Sequence, residues 1–204
     1  MRRRHWLFLC LLTAIAAGCD KPKSTDSGRS RSAAAAPDPA PPVGKGSEAG
    51  LLDRDNAGKP APSVSFKDPD RESITLAEFR GKPLLLNLWA TWCGPCIVEM
   101  PTLDALAARE AGKIQVVALS QDLEGAAKVD AFFKKHDLPN LAPYLDEQGE
   151  VGTALGVTTL PTTIYYDAEG KEVWRIIGEE DWDGAKAAGL LKEAEAAVSP
   201  AAAR

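Results

Sequence analysis

Apolar residues occur in three regimes along the chain. Trp6 to Ala17 is a short apolar run. From Asp20 to about Lys59 bulky apolar side chains almost vanish, and from Ala61 onward they return at regular spacing. Ser63-Val64-Ser65-Phe66 alternates as a short strand does, and Asp68-Pro69-Asp70 marks a turn. Ile74 to Leu76 reads as a second short strand before the helical turn Ala77-Glu78-Phe79. After Gly81-Lys82-Pro83, the run from Leu84 to Trp89 is almost continuously apolar, which predicts a central strand buried on both faces. Ile97, Met100, Leu103, Leu106 and Ala107 then recur at helical spacing. Ile114 to Leu119 predicts another buried strand, and Val129, Phe132, Phe133 and Leu138 another amphipathic helix. Thr162 to Tyr166 and Val173 to Ile177 flank Asp167-Ala168-Glu169-Gly170, a hairpin turn. Gly184 to Val198, rich in Ala, Lys and Glu, predicts a last helix. This order implies an α/β fold with a mixed central sheet between helical layers.

The first two regimes carry a different message. Arg2, Arg3 and Arg4 precede an apolar run of about 12 residues, where a membrane-crossing helix needs roughly 20. Small residues then lead to Ala16-Ala17-Gly18-Cys19. A charged start, a short apolar core and small residues make a secretory signal peptide over residues 1–18. The segment also resembles a bacterial lipoprotein signal, with Ala16 where that pattern usually has Leu. The resemblance implies that Cys19 is lipidated and, through Asp20, retention at the inner membrane. The plainer alternative is an ordinary signal peptide that leaves Cys19 as a stray thiol. Residues 19–59, with Pro37, Pro39, Pro41 and Pro42, lack the apolar surface to offset ordering entropy and read as a flexible tether. A chain of that length spans on the order of 35 Å. The folded domain is then expected over residues 60–200.

Charge narrows the function by exclusion. A net charge of −5 offers no basic face for nucleic acid. Of the four cysteines, Cys10 leaves with the signal and Cys19 would carry lipid, so Cys93 and Cys96 remain in the mature fold. Export places that pair in an oxidising, periplasmic compartment.

Trp92-Cys93-Gly94-Pro95-Cys96 follows a buried strand and opens a helix. A bare CxxC also serves as half a zinc site, but structural zinc takes four ligands. The mature chain adds only His136 to the two cysteines. The strand–CxxC–helix context favours redox chemistry, because unpaired N–H groups and the dipole at a helix start stabilise a thiolate. Cys93, nearer the open end, attacks; Cys96, one turn inside, resolves. Neither a metal nor a cofactor is called for.

The stretch from Leu84 to Pro101, with Glu99 and Pro101 after the second cysteine, resembles the TlpA/ResA branch of exported thioredoxins, and the likeness extends from Pro60 to Val198. It implies a thioredoxin-like three-layer sandwich with an N-terminal strand extension. It also implies a thiol–disulfide oxidoreductase that reduces protein disulfides, for example in cytochrome c maturation, with electrons from a membrane dithiol donor. Asn87 stands where cytosolic thioredoxin has a buried carboxylate, and an amide cannot take a proton from the resolving thiol. In the resembled branch the glutamate at position 99 is implicated near the active site, which makes it a proton acceptor for Cys96. The alternative is a first-turn acid favoured by the helix dipole. Leu160-Pro161-Thr162 matches the place where these folds carry a cis-proline facing the disulfide, so Leu160, Pro161 and the flanking Trp92 are expected to contact substrate. Trp89, inside the strand, reads as core, and Pro101 interrupts the helix's hydrogen-bond ladder. The rival reading from another class is a copper(I) chaperone holding its ion between the two thiolates.

Overall fold

A computed structural model describes residues 50–198. The signal segment, Cys19 and the tether up to residue 49 lie outside the described residues. Among those described, no helix is long and apolar enough to cross a membrane.

The centre is the strand β4 (Leu84–Trp89), buried along its whole length. Alternation splits its side chains between two cores. Leu84, Leu86 and Leu88 join Val117, Ile164, Tyr166 and Val151 on one face. Leu85 and Trp89 join Met100, Leu103, Leu106 and Trp174 on the other. Asn87, of the same parity as Leu85 and Trp89, therefore meets the second face, which is covered by α1 (Gly94–Arg109). α1 runs as one helix through Pro101. Strand β5 (Gln115–Ser120) returns parallel to β4. α2 (Ala126–His136) lays Val129 and Phe132 on the α1 side of the sheet. Leu138, expected on that helix's stripe, falls beyond its end and is buried there.

β7 (Thr162–Tyr166) and β8 (Glu172–Ile177) form the expected hairpin, β7 antiparallel to β4. Its turn closes with the Asp167 carboxylate accepting the Lys171 N–H at 2.7 Å, and Gly170 supplies a φ of 78°. α4 (Ala185–Val198) adds Ala187, Leu190, Leu191 and Ala194 to the α1 core. The short strands β2 (Ser65–Lys67) and β3 (Ser73–Thr75) pair at the far edge. The small elements β6 (Tyr144–Leu145), parallel to β5, and α3 (Glu150–Ala154) escaped the periodicity. α3 is short enough to depend on Asp146, whose carboxylate accepts the Glu150 and Gly152 N–H groups at 3.0 Å each.

The expected domain start at residue 60 is corrected by β1 (Leu51–Asp53). This strand pairs antiparallel with β8 and makes the edge of an eight-stranded sheet, ordered β1-β8-β7-β4-β5-β6-β2-β3. The chain then follows the same edge to Ala61, through bonds from Gly58 N–H to Glu172 C=O and from Ala61 N–H to Gly170 C=O. Three residues are too few to show a period. What orders them is the free edge of β8, which satisfies their backbone, and Leu52, which packs against the core.

Candidate active site

Trp89 ends β4, and Ala90 to Trp92 lead into α1 at the carboxyl end of the parallel strands, where α/β folds place their sites. Cys93 is the N-cap of α1, with its Sγ accepting the Cys96 N–H at 3.3 Å. Pro95 sits in the first turn, where its missing N–H costs no hydrogen bond. The two cysteines form a disulfide, with Cα atoms 5.3 Å apart. Cys93 is 6% exposed and Cys96 fully buried, so only the first sulfur offers an approach. Trp92 beside it is 65% exposed. Trp89 is buried against the ring of Phe132, centroids 4.8 Å apart, and is core as expected.

The loop before Cys93 is held by a side chain that pattern reading missed. Asp122 is 1% exposed and accepts the Thr91 N–H at 2.8 Å, the Thr91 hydroxyl at 2.6 Å and the Ser120 hydroxyl at 2.8 Å. Three donors fix the carboxylate, and through Thr91 they fix the start of the active-site turn. The available signal was Ser120-Gln121-Asp122, polar residues set where a buried parallel strand ends.

Glu99, on α1 one turn after Cys96, is buried. Its Oε1 accepts the Asn87 amide N–H at 2.6 Å and its Oε2 the Glu180 backbone N–H at 3.0 Å. Asn87 also donates to Thr163 Oγ1 at 2.9 Å, while its own Oδ1 has no partner. Burial pushes the Glu99 carboxyl up from 4.5 to about 7. The Glu180 N–H and then the Asn87 amide pull the other way, and the charge of Glu179 adds a small rise. The Trp182 indole N–H exerts a lesser downward pull without completing a hydrogen bond of good geometry. A solvated first-turn acid has none of these features. Near neutrality this carboxyl is poised to take or give a proton.

The Leu160–Pro161 bond is cis, as the resemblance implies. Thr162 is in register with Leu88, so Pro161 lies level with Trp89, at the end of the sheet from which the Cys93 turn departs. The Pro161 C=O accepts the Gly178 N–H at 2.8 Å, which ties this turn to the segment carrying Glu179 and Glu180. His136 stacks on Phe132, with ring centroids 4.2 Å apart.

A family model described as Redoxin matches residues 56–191. The chain belongs to the Redoxin family. Among curated relatives it is 37% identical to the thiol-disulfide oxidoreductase ResA of Bacillus thuringiensis subsp. konkukian, over 124 residues that make up 60% of this chain and 70% of the relative. It is equally 37% identical to the thiol:disulfide interchange protein DsbE of Pseudomonas fluorescens biotype C, over 114 residues, 55% of this chain and 62% of that one. Among solved structures, the exposed lipoprotein thioredoxin of Streptococcus pneumoniae superposes with a TM-score of 0.57 at 26% identity, covering 65% of this chain and 99% of that one. The thioredoxin-like α/β sandwich is thus the fold, and this Redoxin is a thiol–disulfide oxidoreductase.

Proposed function

We propose that this enzyme is a membrane-tethered reductant of protein disulfides outside the cytoplasm, working through a Cys93/Cys96 dithiol with Glu99 as proton acceptor. The observation that carries the reading is the sulfur pair itself. One member, 6% exposed, caps a helix, and the other is fully buried one turn inside it and one turn from a buried carboxyl with a pKa near neutrality.

The steps follow from that order. The Cys93 thiolate, stabilised by the helix start, attacks one sulfur of a substrate disulfide. A mixed disulfide forms and the substrate's other sulfur leaves as a thiolate, which takes a proton from water. Cys96 then passes its proton to Glu99 and attacks Cys93 Sγ. The mixed bond breaks, the substrate's second sulfur leaves and takes the proton now on Glu99, and the enzyme is left as the disulfide described above. Two electrons have passed to the substrate. A dithiol donor at the membrane returns two electrons and two protons. Exposed Trp92, together with Leu160 and Pro161 at the head of β7, lines the approach to Cys93 and contacts the substrate chain there.

The absence of a positive charge at Gly94 and Pro95 favours a reductant. A strong oxidant gains its high potential by over-stabilising the thiolate. The relatives' names support the chemistry, and the lipoprotein named among the structural neighbours supports Cys19 as anchor. Disulfide bonds of apocytochrome c are one substrate class within this reading. The test is a Cys96→Ser variant in cells: mixed disulfides on Cys93 identify the substrates, and their absence overturns the reading. Copper(I) bound tightly by the reduced protein, with no insulin-disulfide reduction, would turn the assignment to a copper carrier. Cys19→Ser should move the protein from the membrane to the soluble fraction without changing its rate in vitro; a soluble wild type would remove the anchor.

A further inference from the structure

Two charged residues outside the sulfur chemistry converge on Glu99 from behind. Glu180 gives its backbone N–H to Glu99, and its own carboxylate turns away to accept the Lys186 ammonium at 2.6 Å. The Glu180 side chain is 3% exposed and that of Lys186 38%, so the ion pair is closed on the protein side and open only at the lysine. The same Lys186 ammonium donates to the Gly50 C=O, also at 2.6 Å. Gly50 answers with its N–H to the Glu179 C=O at 2.7 Å. A Cβ at Gly50 would come within 2.4 Å of Ile176 Cγ2 and 2.8 Å of the Gly178 carbonyl, so the backbone is pressed onto this turn. The turn from Gly178 to Glu180 is therefore gripped from both sides, by the head of β1 and by α4.

Resting on the reading of Glu99 as proton acceptor, we propose that Lys186 is a positioning residue for that step. Its ammonium locks Glu180 and Gly50 together, so the Glu180 N–H stays on the Glu99 carboxyl.

The groups facing Glu99 set the sign of the effect. They are Asn87 from β4 and Glu179, Glu180 and Trp182 from the segment after β8, with Lys186 from α4 one step behind. Among them the Glu180 N–H is the strongest pull toward the ionised form. Without the ammonium, the turn loosens and that donor weakens. The Glu180 carboxylate also loses its neutralising partner. Both changes make Glu99 harder to ionise.

The test is Lys186→Met, which keeps the aliphatic stem and removes the charge. The Glu99 carboxyl is titrated by carbon-13 NMR in the oxidised protein, and the pH profile of substrate reduction is recorded alongside. The expected result is an upward shift of the Glu99 midpoint by about 0.5–1 pH unit, the scale of one hydrogen bond, and the same displacement of the rate profile. Lys186→Arg should restore the wild-type midpoint. An unchanged midpoint in Lys186→Met overturns the proposal. Should that variant not fold, Lys186→Gln, which keeps a donor for Gly50 and loses the ion pair, carries the same comparison. Failure of the underlying reading looks different: Glu99→Gln leaves the rate profile untouched while the Lys186 variants still shift the NMR midpoint.

Discussion

Glu99→Gln separates the two things a buried carboxyl does, titrate and accept hydrogen bonds. The amide has the same shape. Its oxygen keeps the Glu180 N–H, while its NH₂ group faces Asn87. Asn87 accommodates this by turning its amide over, which brings the now unpartnered Oδ1 to the new donor and lets Thr163 donate in place of accepting. The same turn leaves the Asn87 NH₂ group where Oδ1 had no partner, so the variant carries a cost of about 1–3 kcal/mol that does not depend on pH and cancels between two pH values. What disappears is the ionisation.

In the wild type, Glu99 has a folded pKa of about 7 against 4.5 for the free side chain. A carboxyl raised in this way binds its proton more tightly in the native state. Its contribution is fully present below pH 4.5, and it is lost as the pH climbs through about 7. Between pH 5 and 8.5 the loss is about 2–3 kcal/mol. Denaturant unfolding of the oxidised protein at both pH values measures it. The wild type should lose about that much more stability than Glu99→Gln on going from pH 5 to pH 8.5. Stopped-flow reduction of substrate by the dithiol form gives the catalytic half. Losing a positioned base should slow the variant by up to roughly 10²–10⁴-fold and remove a limb of its pH profile. Parallel stability differences at the two pH values would refute the burial argument, and superimposable rate profiles would refute the role in proton transfer.

Three further outcomes follow from the geometry. In the reduced protein an alkylating reagent should modify Cys93 well before Cys96, and Cys93→Ser should abolish turnover; mass spectrometry of briefly treated protein reads the order. A chain beginning at Gly50 should unfold cooperatively, whereas one beginning at Ala61 should lose about 2–4 kcal/mol in denaturant melts, since it lacks the β1 ladder and the Leu52 contact. Arg175, 6% exposed, holds the Glu172 carboxylate with two contacts of 2.7 Å, so Arg175→Met should cost about 3–5 kcal/mol by leaving a buried charge unpaired. Adding Glu172→Gln should recover much of that loss in the same melts.

Some of this protein was readable in order along the chain. The run from Leu84 to Trp89 was a buried strand because six residues without a charge, bounded by Gly81-Lys82-Pro83 and the CxxC turn, have few other stable states. The helix after Cys93, the β7–β8 hairpin and the redox pair were legible for the same reason: each is decided by neighbours within a few residues, through period, turn chemistry or helix-start electrostatics. β1, β6 and α3 were not, because elements of two to five residues carry no period and take their order from a sheet edge or from Asp146. Glu99 shows the division within a single residue. Its place one turn after Cys96 was in the sequence, but its proton affinity was not. That depends on burial, on an amide 12 positions upstream and on an N–H 81 positions downstream, groups that only folding brings within hydrogen-bond distance. Asp122 and Lys186 are of the same kind. Their partners are set by the packing of strand ends and by the entry of β1, and a pattern along the chain has no means of registering such contacts.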